Sequence, residues 1–427
     1  MEKAPGCAPA VPVERFEVWA YQFPTDGPGG LESDGTFTWR DTTCVVVQAT
    51  GGGRTGLGYT YGDIAAAHLI DSALAEVAVG SDALCPARAW HSMAARLRNA
   101  GRPGIGTMAV AAVDIALWDL RARLLDQPLY RTLPAFRDQV PVYGSGGFTN
   151  YPLDRLADQL TGWVEQGIPR VKMKIARQPE EDPARLAAAR KAIGDEPLLF
   201  ADANGAYARK EALAWAWRLG QEFGVSWLEE PVSSDDITGL GQLRAGGPPG
   251  MDIAAGEYGF VLADFARLLD AAAVDCLQAD VTRCGGITGL LQVAGLSAAY
   301  QVDLSAHCAP AVSAHAFCGV ERLRHLEYFH DHVRIESVLF DGTAAPVRGA
   351  LHPDPSSPAS DWSCAPPMRP AIRSTTARTG RLTRPPPHTR ARRRRHDPDQ
   401  PRPDRARPPS WLHGRRQSPG ERGDSGP

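Results

Sequence analysis

The chain has no run of about 18 consecutive apolar residues, the minimum for a membrane-spanning helix. Its apolar stretch over residues 108–120 is interrupted by Asp114 and Asp119. The opening segment MEKAPGCAPAVPVERF has no apolar centre of the kind that makes a secretory signal. Cysteine is sparse and scattered, with eight thiols at positions 7, 44, 85, 276, 284, 308, 318 and 364 and no CxxC pair. That pattern excludes a disulfide framework and a zinc ribbon, and it suits a reducing compartment. A cytoplasmic protein with no membrane partner is therefore expected.

Net charge is also nearly absent, with 46 basic and 49 acidic side chains giving −3 over 427 residues. The balance hides an asymmetry. Residues 359–427 contain 16 arginines, no lysine and six acidic residues, a net of +10, while the first 358 residues carry 30 basic and 43 acidic groups, a net of −13. The same tail holds 13 of the 36 prolines and no periodic apolar stretch, so it cannot bury a core. An arginine-rich arm can bind nucleic-acid phosphates without folding. The expectation is instead a disordered extension whose Arg, Pro and Thr content reads as GC-rich DNA in a shifted frame, with nucleic acid not the expected partner.

Two textures fill the remainder. Up to about residue 135, VERFEVWAYQF and TTCVVVQAT alternate as strands around a glycine-rich loop, and helical periodicity follows. Val110, Val113, Leu117, Leu120 and Leu124 recur at three-to-four spacing, as on an amphipathic helix. An α+β domain over 1–135 is predicted. Over 136–350 short apolar strands such as RVKMKI, PLLFADAN, VSWLEEP, MDIAAGE and VDCLQAD alternate with helical segments. Eight such strands predict an α/β fold closed as a parallel barrel. An open doubly wound sheet would place a glycine-rich phosphate loop after its first strand, and VYGSGGFTN matches that poorly.

Side chains at the C-terminal strand ends of a barrel converge on one mouth. Lys172 and Lys174 share a strand face, because side chains repeat every two residues. Asp202, Glu229, Glu257, Asp280, His307 and Glu327 end the next six strands, at intervals from Lys174 of 28, 27, 28, 23, 27 and 20 residues. Each alone reads as a helix cap, a surface ion pair or a hydrogen-bonded core histidine. Together they fall at one position of successive strand-plus-helix units, which independent accidents do not produce. Three carboxylates on adjacent strands repel unless a cation lies between them, and hard oxygen ligands suit one Mg²⁺.

Lys172-Met173-Lys174, the run Asp202-Ala203-Asn204-Gly205, Trp227-Leu228-Glu229-Glu230-Pro231, Gly256-Glu257, Asp280 before Gly285-Gly286-Ile287-Thr288, and His307 resemble the enolase superfamily, in particular its mandelate racemase subgroup. The resemblance spans roughly residues 13–350. It implies a (β/α)₇β TIM-like barrel under an N-terminal α+β capping domain, with cap loops near residues 24–36 and 56–62 closing the mouth. It also implies removal of a proton α to a carboxylate, giving an ene-diolate. On that analogy Asp202, Glu229 and Glu257 hold the Mg²⁺, and Lys174 is the base, its pKa lowered by neighbouring Lys172. His307, oriented by Asp280, is the acid/base on the other face, and the reverse assignment, with His307 as base and Lys174 as acid, is the alternative. Lys172, Asn204 and Glu327 meet the substrate, and Glu230 stands behind them.

A small carboxylate substrate is implied, most simply a sugar acid dehydrated to a 2-keto-3-deoxy acid, making the protein a lyase. Asp26, Glu32, Ser33, Asp34, Thr36, Tyr59 and Tyr61 in the cap loops suit a polyhydroxylated ligand. Racemisation or epimerisation of a 2-hydroxy acid is the alternative, and a catalytically silent scaffold is a third. A homo-oligomer is expected.

Overall fold

The alternating apolar residues of the first sixty positions build a cap sheet of β1 (Arg15–Pro24), β2 (Asp41–Gly51) and β3 (Arg54–Tyr61), paired antiparallel in that order. The computed structural model describes residues 10–360, 362–364 and the backbone of 372–377. One sheet face, with Phe16, Val18, Val45 and Val47, packs on a helical run over 65–78 and on α1 (Pro86–Arg96) and α2 (Ile105–Leu125).

The periodicity of α2 is real, but the helix is apolar on both sides. Val110, Val113, Leu117 and Leu120 enter the cap core, while Ile115, Trp118 and Ala122 enter the core shared with the barrel. The helix is thus a wedge between two cores, and its two acidic residues are fully buried. Asp119 accepts from Leu57 N and Arg123 Nε, both at 2.8 Å. Asp114 accepts from Thr288 N at 2.8 Å and Thr288 Oγ1 at 2.6 Å. Burial that needs satisfied polar groups explains why these residues interrupt the apolar run.

The barrel strands are β4 (Val140–Gly146), β5 (Arg170–Lys174), β6 (Leu198–Asp202), β7 (Val225–Glu229), β8 (Asp252–Ala255), β9 (Cys276–Ala279), β10 (Asp303–Ala306) and β11 (Leu323–Phe329). They pair parallel in sequence order, and β11 closes on β4 through Leu326↔Val142 to Phe329↔Ser145. Seven helices intervene: α3 (Leu153–Glu165), α4 (Asp182–Ile193), α5 (Arg209–Phe223), α6 (Ile237–Gly246), α7 (Leu262–Asp270), α8 (Gly286–Ala299) and α9 (Pro310–Ala316). A further helix, α10 (His330–Leu339), follows β11. The closed ring agrees with the predicted barrel and excludes the open sheet. The GGIT motif starts α8, where Gly286 has φ +82° and an added Cβ would meet Asp114 Oδ2 at 2.5 Å. Glycine there lets the cap carboxylate reach the helix N-terminus.

The disordered tail expected from residue 359 needs correction at its start. Ala359 exchanges 2.7 Å backbone hydrogen bonds with Gln127 and Leu129, and Ser360 N donates to Asp119 Oδ1 at 2.8 Å. Trp362 is buried against Tyr59 and Phe340, with ring centroids 5.4 and 5.0 Å away. The strand β12 (Ile372–Ala377) then pairs antiparallel with β1, from Arg15↔Ala377 to Ala20↔Ile372. An indole with an apolar cavity to fill, and an open sheet edge, order a segment whose composition alone reads as unstructured. The arginine-rich run over 390–409 lies outside the described residues.

Burial pushes the Asp114 carboxyl from its ordinary 3.8 up to about 7, against the opposing hydrogen bonds from Thr288. A raised acid pKa in the fold means that stability is lost as pH rises from about 4 to about 7, on the order of 4 kcal/mol for this group. Asp114→Asn keeps the acceptor without the charge. Urea unfolding at pH 4.5 and 7.5 should show a smaller loss of stability across that interval in the variant, and an identical loss in both proteins would refute the assignment.

Candidate active site

The strand register sets the first row of the site. Lys174 pairs with Asp202, and Asp202 with Glu229, so these side chains stand abreast on β5, β6 and β7. Lys172, two residues back on the same face, is fully buried. Glu257 lies just past β8, where Gly256 has φ +132° and an added Cβ would meet Gln278 O at 2.3 Å. Only glycine makes that turn, which brings Glu257 into the mouth. Asp280 and His307 follow β9 and β10, and Glu327 lies within β11.

The predicted residues converge. Lys174 Nζ is 2.5 Å from Asp202 Oδ2, and Lys172 Nζ is 2.6 Å from Glu229 Oε1, 2.7 Å from Glu327 Oε1 and 3.5 Å from Asp202 Oδ2. His307 Nδ1 is 2.8 Å from Asp280 Oδ2, while its Nε2 faces Glu257 Oε2 at 3.3 Å and Glu327 Oε2 at 3.6 Å. Asp202, Glu229 and Glu257 each offer an oxygen within 4.8 Å of the others. Glu257 Oε2 accepts no aligned hydrogen bond although it is buried. Three hard donors at that spacing, one with a free lone pair, fit a small divalent cation.

Charge distribution divides the site. Burial opposes ionisation of His307, but Glu257, Glu327 and the Asp280 hydrogen bond outweigh it and hold the ring well above its ordinary pKa. Burial also opposes the charge on Lys174, yet Asp202 outweighs it and holds the amine above the usual lysine range. This corrects the expected direction. Lys172 does pull the pKa down, but a carboxylate at 2.5 Å exceeds it. Glu229 is pushed up to about 8 by burial and by Asp202, against the pull of Lys172.

Several contributors escaped the sequence reading. Arg283 faces Glu257 Oε1 at 3.4 Å and Asp280 Oδ2 at 3.6 Å. Trp227 Nε1 donates to Glu229 Oε2 at 3.0 Å, and Ser145 Oγ donates to Glu327 Oε1 at 2.5 Å. Cys308 Sγ is 3.3 Å from both His307 Nε2 and Glu327 Oε2. Trp227 was accessible to the period-two rule that paired the lysines, since it shares a strand face with Glu229. Asn204 has a buried Oδ1 without a partner, and its carbonyl accepts from Thr36 Oγ1 at 3.2 Å, linking cap to barrel. Glu230 is buried with Oε1 unpartnered.

Of the two expected cap loops, only residues 24–36 form one. Residues 56–61 are strand β3, in which Gly58 approaches α2 so closely that a Cβ would meet Ala112 O at 2.3 Å. Tyr59 OH donates to Glu336 Oε1 at 2.6 Å and the Tyr61 ring stacks on His332 at 3.5 Å, so both tyrosines join cap to barrel. Glu32 and Ser33 are likewise buried, with Tyr151 OH donating to Glu32 at 3.1 Å and Ser33 Oγ 2.6 Å from Thr149 Oγ1.

Lys172 compensates several buried carboxylates at once. Lys172→Met should cost about 3–5 kcal/mol in chelator-treated protein. The loss should be larger at pH 8 than at pH 5, because protonation of the stranded carboxylates relieves it. Urea denaturation at the two pH values measures this, and an unchanged midpoint would contradict the charge balance described.

Residues 155–358 match the model of the Enolase C-terminal domain-like family, and residues 35–133 match that of the Mandelate racemase / muconate lactonizing enzyme, N-terminal domain. The chain is similar to the 3,6-anhydro-alpha-L-galactonate cycloisomerase of Streptomyces coelicolor, 35% identical over 280 residues that cover 64% of this chain and 77% of that protein. The L-talarate/galactarate dehydratase of Salmonella typhimurium is 36% identical over 236 residues, covering 54% of this chain and 58% of that enzyme. Its crystal structure with Mg and L-lyxarohydroxamate matches with a TM-score of 0.78 at 26% identity, over 88% of this chain and 98% of that one. A mandelate racemase/muconate lactonizing enzyme-like protein from Rubrobacter xylanophilus is 60% identical, with a TM-score of 0.81 over 83% of this chain and 97% of its own. With both domain models matched in order around a converged Lys-x-Lys, carboxylate and Asp–His site, the chain belongs to the mandelate racemase/muconate lactonizing enzyme family of the enolase superfamily.

Proposed function

We propose that the protein is a Mg²⁺-dependent lyase that dehydrates a sugar acid to a 2-keto-3-deoxy acid. The observation that carries this reading is the division of the mouth into two proton-transfer groups. Lys174 stands in register with Asp202 and Glu229 on one side, and the His307–Asp280 pair faces Glu257 from the other. Asp202, Glu229 and Glu257 would hold the metal. When bound, Mg²⁺ supplies compensation for negative charge that develops on the substrate carboxylate.

Lys172 and Glu327 lie together beside that position, joined at 2.7 Å, and orient the carboxylate of the substrate. With Asp202 engaged by the metal, the carboxylate that holds the Lys174 proton would be neutralised, and the neutral amine takes the α-proton, leaving an ene-diolate. His307, held as the imidazolium by Asp280, gives its Nε2 proton to the β-hydroxyl, so that the C–O bond breaks and water departs. The resulting enol becomes the 2-keto acid. Asn204 Oδ1, buried and unpartnered, is an acceptor for a substrate hydroxyl. Similarity to an acid-sugar dehydratase and to a cycloisomerase supports the substrate class. Among the described residues no helix is long and apolar enough to cross a membrane, and seven cysteines are free. The thiols support a reducing cytoplasm as the place of action.

Screening aldonic and aldaric acids with Mg²⁺ for keto-acid formation tests the reading, and product analysis separates dehydration from racemisation. With an accepted substrate, Lys174→Ala should stop exchange of the α-proton with deuterated solvent. His307→Asn should block loss of water while exchange continues. Each loss is expected at about 10²–10⁴-fold. If both variants keep exchange and product formation near the parent rate, or if chelator-treated protein is fully active, the mechanism is wrong.

A further inference from the structure

A second group of potential ligands lies at the cap–barrel junction, separate from the carboxylates of the mouth. Asp26 and Glu32 flank the turn Pro28–Gly30 in the cap loop, and His330 and Asp331 begin α10. Each offers a ligand atom within 4.8 Å of the others. His330 Nε2 is 3.1 Å from both carboxylate oxygens of Asp26. Donor atoms around one octahedral ion, at about 2.1 Å from it, lie about 3.0 Å apart when adjacent and about 4.2 Å apart when opposite. The His330–Asp26 contacts at 3.1 Å match the shorter distance, and the 4.8 Å limit on the whole group lies a few tenths of an ångström beyond the longer one, a gap that closure on an ion would take up.

Two of its three carboxylates already have a cationic partner. Arg155 NH2 is 2.9 Å from Asp26 Oδ1, and Arg334 NH2 is 3.2 Å from Asp331 Oδ1. Trp39 Nε1 also donates to Asp331 Oδ2 at 3.4 Å, which fixes that carboxylate. Glu32 differs. It is fully buried, Oε1 accepts from Tyr151 OH at 3.1 Å, and Oε2 has no hydrogen-bond partner. No basic side chain among the described residues forms an ion pair with it. A buried carboxylate oxygen without a donor is costly unless a cation or a proton meets it. Access from solvent exists, because the side chains of Asp26 and His330 are 40% and 25% exposed.

We propose that Asp26, Glu32, His330 and Asp331 form a second divalent-cation site that fastens the cap loop to the end of the last barrel strand. Three carboxylates and one imidazole suit a first-row ion that accepts mixed oxygen and nitrogen donors, such as Mn²⁺. The ion takes the Nε2 lone pair of His330 in place of the contact with Asp26. It also supplies the charge that Glu32 lacks.

Mn²⁺ titration of the full-length protein, followed by electron paramagnetic resonance, distinguishes this site from the first. The parent should bind two ions per chain. Asp26→Asn, a partly exposed change that spares the buried residues, should bind one. Glu257→Gln should also bind one, and that ion should be lost when Asp26→Asn is added. A rise in melting temperature with Mn²⁺ in Glu257→Gln, absent from the double variant, is the second expected readout. Two ions retained in Asp26→Asn would overturn the proposal. So would one ion in the parent that disappears in Glu257→Gln, which leaves Glu32 and Asp331 sharing a proton and the first site intact. An ion count unchanged by Glu257→Gln alone counts against the catalytic metal site and not against this one.

Discussion

Lys172 has no exposed surface, yet its ammonium lies within 3.5 Å of carboxylates from three different strands. A buried cation of this kind persists only if its partners arrive with the correct geometry, and each partner carboxylate is stable only if the cation is present. The barrel mouth is therefore specified as a unit. Trp227 and Arg283 take up carboxylate oxygens that the lysines do not reach, and Ser145 shares Glu327 Oε1 with Lys172. The same mutual compensation keeps His307 charged beside Asp280 while Lys174 is held by Asp202.

The cap depends on this barrel through polar contacts set in apolar surroundings. Asp114 and Asp119 on α2 reach the start of α8, strand β3 and the chain at Ser360. Tyr59 OH, Glu336 and Ala311 N form a further link, with Glu336 accepting at 2.6 and 2.9 Å. Each such contact is directional. Hydrophobic burial alone would let the cap slide on the barrel, whereas these hydrogen bonds fix its register over the mouth.

Regular elements and their polar ends were legible in the sequence because both follow short periods. The interval of one strand-plus-helix unit aligned Asp202, Glu229 and Glu257, and the two-residue repeat aligned Lys172 with Lys174. Contacts without a period were not legible. Arg283 comes close to Glu257 only through the turn after β9, and Cys308 acquires its neighbours from the irregular backbone after β10, with φ +52°. Residues 56–62 read as a loop because glycine usually marks turns, but here Gly56 and Gly58 allow a strand to lie directly on α2. The direction of the Lys174 shift depended on a distance of 2.5 Å that no spacing rule supplies. Trp362 was missed because its pocket, between Tyr59 and Phe340, is assembled from segments about three hundred and about twenty residues upstream.

The strand at 372–377 covers the outer edge of β1, so the first and last strands of the described chain are neighbours in one sheet. During synthesis, β1 emerges long before its partner exists. Its backbone donors and acceptors on that side stay open while the entire barrel is made. An open edge is a template for pairing with other chains, and pairing across so large a sequence separation is slow. The cap sheet thus leaves the ribosome before the barrel and is closed only after it, and its solubility in that interval rests on the speed with which the barrel folds beneath it.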